Sequence, residues 1–209
     1  MQSISNRRAG VANTLAFGVR SALKDLVIRD RVLYPPPIFL KIIYTSIMRV
    51  PFYWQMNEYT CGPASLQMVF EYFGKHMKQE ALAKVLKTNE EVGTTHEKLI
   101  QTATNNGFYC YVNNSSTISE IKYFLSRNFP VIVHFIEPED NDPHYAVVVA
   151  HEKPYLIFND PWSGREARMS EDRFVRYWHD EKNTHKRWVM VLSQEDLKLG
   201  KQYLPKDRL

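Results

Sequence analysis

At 209 residues and 44 % hydrophobic content, the chain can bury one sizeable core and still leave about forty to fifty residues outside it. Its net charge of +4 is unevenly placed: residues 1–50 hold eight basic and two acidic side chains, and the remainder sums to −2. By charge this excludes nucleic-acid binding by the globular part, while the first fifty residues keep a basis for touching an acidic partner or a membrane surface. The two cysteines, Cys61 and Cys110, are too few for a disulfide framework or a cysteine-rich zinc site, so a reducing, cytoplasmic setting is the simpler expectation.

Residues 1–49 read as a basic N-terminal extension. Val11 to Val19 is a poor secretory core, because Asn13 and Thr14 interrupt it and Arg20 and Lys24 follow closely. Leu15, Val19, Leu23 and Leu26 recur at helical spacing behind Asn13 or Thr14. They predict one amphipathic helix that packs on the main domain or serves a partner, a membrane surface or autoinhibition. Pro35-Pro36-Pro37 is stiff and non-helical, a linker into Ile38–Met48. That segment includes Lys41, and its eleven residues fall short of the ~20 that a membrane span needs.

The main domain is expected over 50–193, with 194–209 as a charged tail. A helix opening at Cys61 is apolar on nearly every side: Ala64, Met68 and Tyr72 form one row, Leu66, Val69, Phe70 and Phe73 fill the others, and Gly74 stops it. Such a helix belongs inside a domain. A second helix fits Lys78–Lys87 with Ala81, Leu82, Val85 and Leu86 inward, and a third runs from Thr95 to Asn105, ended by Asn106-Gly107. From Phe108 the period changes. Phe108–Val112 alternates as a strand, a helix capped by Ser116 or Thr117 runs through Ile121, Phe124 and Leu125, and strands follow at Val131–Ile136, Tyr145–Ala150, Tyr155–Phe158 and Trp188–Leu192. A short helix near Ser170–Trp178 interrupts the last pair. Helices first and an antiparallel sheet afterwards predict an α+β fold.

A lone cysteine is by default a buried hydrophobe, and Cys110, mid-strand between Tyr109 and Tyr111, is read that way. Cys61 differs because Gly62 and Pro63 follow at once. Proline favours the first helical turn, so the thiol falls at a helix N-terminus, where exposed N–H groups and the macrodipole favour a nucleophilic thiolate. A bond between the two cysteines is the competing reading and would remove the nucleophile. Of seven histidines, His144 is best placed as a base, opening a strand directly after the polar stretch Glu137–Pro143. Alternation would put His151 on the opposite sheet face. His134 reads as a satisfied core histidine, and His76, His96, His179 and His185 as surface or helix positions. None shows metal-ligand spacing, and no metal or cofactor is expected. Asp160, ending the strand Tyr155–Asp160, would orient His144 if the two strands pair, or would merely cap the following turn. Asn159 competes for the orienting role, but pleating sends the two residues to opposite faces. Gln55, six residues before Cys61, is a surface glutamine taken alone; beside a nucleophile its amide is a candidate oxyanion donor together with the Cys61 backbone N–H.

In order, Gln55, Cys61 through Gly74, Gly93-Thr94 before a helix ending Asn106-Gly107-Phe108, His144 through Val149, and Asn159-Asp160-Pro161-Trp162-Ser163-Gly164 resemble the bacteriocin-processing, double-glycine-leader cysteine peptidases, and among them the stand-alone branch. The resemblance spans roughly Val50–Leu192. It implies a papain-like fold in which Cys61 is the nucleophile, His144 the base and then the acid, Asp160 the orienter and Gln55 the oxyanion donor, acting on a peptide or protein substrate. Two other outcomes fit the same fold: acyl transfer to an amine or thiol acceptor, as in the phytochelatin synthases, or a non-catalytic peptide-binding module.

Overall fold

Twelve residues from Cys61 to Tyr72 form a helix, α1, whose first ten residues are all buried. This is the consequence of apolar side chains on every side: Leu66, Met68, Val69 and Phe70 are each fully enclosed, and each such burial stabilises by roughly 1.5–3 kcal/mol. The computed structural model describes residues 47–182, 186–199 and 202–206. The expected amphipathic helix, the proline linker, the partner or membrane contact of the N-terminal extension and His185 therefore lie outside the described residues.

After α1 come α2 (Gln79–Leu86), α3 (His96–Asn105), β1 (Tyr109–Asn113), α4 (Ile118–Leu125), β2 (Val131–Ile136), β3 (Pro143–Glu152), β4 (Tyr155–Asp160), β5 (Gly164–Ser170), α5 (Glu171–Tyr177), β6 (Val189–Ser193) and β7 (Gln202–Tyr203). Thr95, Thr117 and Ser170 cap α3, α4 and α5, each accepting a backbone N–H three residues on. The described strands form a seven-stranded sheet in the order β5-β4-β3-β2-β6-β1-β7, antiparallel throughout. The architecture is the expected α+β, papain-like arrangement of helices first and sheet afterwards. All of β2 and the stretch His144–Ala150 of β3 are buried, which is why they read as continuous apolar runs rather than alternating ones.

The structure adds two strands to the sequence reading. β5 is charged and lies at the sheet edge, so it carries no apolar period and exists because β4 pairs with it. β7 falls within 194–209, the segment read as a charged tail, and pairs with β1 at the other edge. Two expectations are corrected. In α2 the inward positions are Gln79, Leu82 and Leu86, while Ala81 and Val85 are exposed, because the amide of Gln79 finds hydrogen-bond partners inside. His151 shares the sheet face of His144 rather than the opposite one. A bulge between Val148 and Ala150 shifts the β3–β4 register, so that His151 pairs with Leu156 where Val148 had paired with Phe158, and one extra residue inverts every side chain after it. His151 there bonds Glu171 at the start of α5.

Candidate active site

The N-terminus of α1 is seated by close packing. A Cβ on Gly62 would lie 2.7 Å from Cβ of Thr94, so only glycine lets the loop before α3 approach the first turn. Tyr145 in β3 donates to the Thr94 carbonyl at 3.0 Å, and Ser65 in α1 donates to the Tyr145 carbonyl at 3.2 Å. Helix, loop and strand are thereby locked together one residue beyond His144. Cys61, the first residue of α1, is buried and unbonded to Cys110, which removes the disulfide reading. Burial without a charged partner pushes the Cys110 thiol up to about 12, as expected of a core cysteine.

His144 is buried at the rim end of β3. Continuing the β3–β4 register places Asp160 across from Ala146, a diagonal neighbour of His144, and His144 Nε2 lies 2.8 Å from Asp160 Oδ1. The Cys61 thiol also acts on this ring by hydrogen bonding and charge. Burial alone would lower the pKa of His144; the hydrogen bonds and negative charge of Asp160 and Cys61 outweigh it and raise the imidazole to about 10. Burial would likewise raise Asp160, but the His144 bond and the N–H groups of Ser163 and Trp162 hold its carboxyl below the usual range. Asp160 thus both meets His144 and caps the Pro161-Trp162-Ser163 turn. Asn159 faces the other way, donating to the Val50 carbonyl and accepting from Glu166 N–H.

Gln55 lies beside this group across a cleft of about 380 Å³ that it lines with His144, Glu58, Glu137 and Trp162. Its side-chain amide donates to the carbonyls of Asn57 at 2.8 Å and Glu58 at 3.2 Å, and its Oε1 is buried without a partner. Its main-chain N–H donates to the Pro161 carbonyl, next to Asp160. The structure therefore puts Gln55 and His144 on one cleft, with Asp160 bonded to His144 and Cys61 acting on the same ring, while the Gln55 amide is turned toward its own loop. The other described histidines do not line the cleft. His134 and His96 pack together with Tyr145, and His96 stacks on Trp188 with centroids 4.0 Å apart; His76 meets Glu71. No group of metal-ligating side chains occurs among the described residues.

Residues 47–188 match the sequence profile of the Peptidase_C39 like family, more than half of the chain. The chain belongs to this family. It is a cysteine peptidase of papain-like fold, similar to the transport/processing ATP-binding protein ComA of Streptococcus pneumoniae, 29 % identical over 126 residues covering 59 % of this chain and 17 % of that protein. PedD, the pediocin PA-1 transport/processing ATP-binding protein of Pediococcus acidilactici, is 28 % identical over 127 residues covering 59 % and 17 %. The peptidase thus spans about a sixth of the curated relatives it matches. Among solved structures, the peptidase domain of Streptococcus ComA superposes with a TM-score of 0.58 at 27 % identity, covering 70 % of this chain and 99 % of that one. A double-glycine-motif protease solved with its leader peptide gives 0.52 at 22 % identity, covering 69 % and 91 %, a likeness of fold.

Sequence reasoning missed three residues that shape the peptidase's cleft: Thr94, which packs on Gly62; Thr60, whose Oγ1 accepts the N–H groups of Met56 and Asn57; and Gln79, which bonds the backbone beside Gln55. Thr94 left a trace as part of the Gly93-Thr94 motif, and Gln79 as a polar residue in register with Leu82 and Leu86 on a helix.

Proposed function

We propose that this peptidase cleaves a peptide bond through Cys61, with His144 and Asp160 completing the triad and Gln55 donating to the oxyanion. The observation that carries the reading is the His144 Nε2–Asp160 Oδ1 bond of 2.8 Å. With Nε2 committed to Asp160, Nδ1 is the nitrogen left to serve the Cys61 thiol. The sulfur attacks the substrate carbonyl carbon, and the tetrahedral oxyanion takes hydrogen bonds from the Cys61 backbone N–H and from the Gln55 amide once it rotates off its loop carbonyls. Imidazolium at His144 gives its proton to the departing amine as the C–N bond breaks. Water, deprotonated by His144, then hydrolyses the thioester.

The substrate we infer is a leader peptide cut after paired glycines. Support comes from the ordered motif set and from relatives named for processing. Incubation of the full chain with a peptide library containing Gly-Gly sites, read by mass spectrometry, should give cleavage after the second glycine, and none with Cys61→Ala. Cleavage that survives Cys61→Ala overturns the nucleophile, and cleavage independent of Gly-Gly overturns the substrate. Accumulation of an amide product when an amine acceptor is supplied would favour acyl transfer instead.

A further inference from the structure

Gln55 is poorly placed to hold itself. It sits in an irregular segment between Val50 and Thr60, and its side chain must leave Asn57 and Glu58 to reach an oxyanion, so the aim of the amide depends on what fixes the backbone at Gln55. Four contacts do so. The Pro161 carbonyl takes the Gln55 N–H at 3.1 Å. On the two flanking residues, one side chain bonds both: Gln79 Nε2 donates to the Trp54 carbonyl at 2.9 Å and Gln79 Oε1 accepts the Met56 N–H at 2.9 Å, a donor that Thr60 Oγ1 shares at 3.0 Å.

This is the pairing a neighbouring β-strand would supply, delivered by one amide from the first turn of α2. Gln79 is 6 % exposed, and an amide is buried at that depth without cost only when its polar atoms are bonded. Val85, an apolar residue of the same helix, is left in solvent while Gln79 is inside.

We propose that Gln79 is a positioning residue for the peptidase reaction, holding Trp54 and Met56 so that the amide of Gln55 turns toward the oxyanion. The inference rests on Gln55 being the oxyanion donor. Gln79 touches no reacting atom; it acts through Gln55. Its contribution therefore appears when an oxygen develops charge in the hole and is absent from chemistry at Cys61 that needs no hole.

The test uses the full chain and two readouts. A peptide aldehyde ending in Gly-glycinal adds the Cys61 sulfur to its carbonyl carbon and places the resulting oxygen in the oxyanion position; its affinity is read as protection of Cys61. Iodoacetamide alkylates the same sulfur with no oxyanion. Gln79→Met keeps length and volume while removing both bonds. Aldehyde affinity should fall about 100-fold in Gln55→Ala and about tenfold in Gln79→Met, with no further loss in the double variant, since the second change acts through a group already gone. The alkylation rate should stay within about twofold in every variant. Gln79→Glu, which keeps the acceptor for Met56, should fall between native and Gln79→Met.

Additive losses, or slowed alkylation in Gln79→Met, would show a general structural role and overturn the inference. Unchanged aldehyde affinity in Gln55→Ala would instead overturn the assignment of Gln55, and Gln79 with it. Failure of the aldehyde to protect native Cys61 would sink the Gly-Gly peptidase site on which both depend.

Discussion

Asp160 shows how much one buried carboxylate can do at the residue scale. Its Oδ1 serves His144 and two backbone N–H groups together, so removing the charge and removing the side chain should separate two roles. Asp160→Asn keeps an oxygen for the Trp162 and Ser163 N–H groups but no longer favours imidazolium; turnover should fall roughly 100- to 10,000-fold with folding nearly intact by thermal melting. Asp160→Ala also unties the turn and should lower the melting temperature as well. The raised value of His144, about 10, sets the sign of the pH dependence. His144 donates its proton while protonated, so kcat should hold through neutral pH and decline as pH rises toward 10. In Asp160→Asn that alkaline decline should move to lower pH, which a pH–rate profile would detect.

At the scale of elements, the site depends on α1 meeting the loop before α3 and the rim of β3. Gly62 permits that approach, and any side chain there runs into Thr94. Gly62→Ala should destabilise the fold by about 1–3 kcal/mol, the usual cost of overpacking, and should cut turnover by more than the unfolded fraction accounts for, because the displaced group is adjacent to Cys61. A paired Thr94→Ala substitution shortens the opposing side chain and should restore part of both; denaturant melts beside kcat measure this. Elements also mark where sequence reasoning ran out. α1 was legible because its apolar residues cover every face. β5 was not, because an exposed edge strand of charged residues carries no period and is defined only by its partner. The face of His151 was misread because a bulge in β3 leaves no mark in an all-apolar run.

Taken whole, the molecule couples its stability to the protonation of a buried pair. His144 is raised above its ordinary 6.5, so its contribution is fully present below that value and is lost as pH rises toward 10. Asp160 is held below its ordinary 3.8, so its contribution is present above 3.8 and is lost as pH falls through its folded-state value. Urea melts across pH should therefore place the greatest contribution of this pair between about 4 and 6.5, and His144→Gln should flatten the alkaline side of that curve. The sequence by itself determined the fold class, the buried first helix and the order of Cys61, His144 and Asp160, because periodicity and spacing are local properties that survive in one dimension. Only the tertiary structure decided which of Asn159 and Asp160 meets His144, that Cys61 and Cys110 stay apart, and that Gln79 reaches the backbone on both sides of Gln55. Those are matters of strand register and side-chain reach between residues distant in the chain, set by how the sheet pairs and what packs upon it.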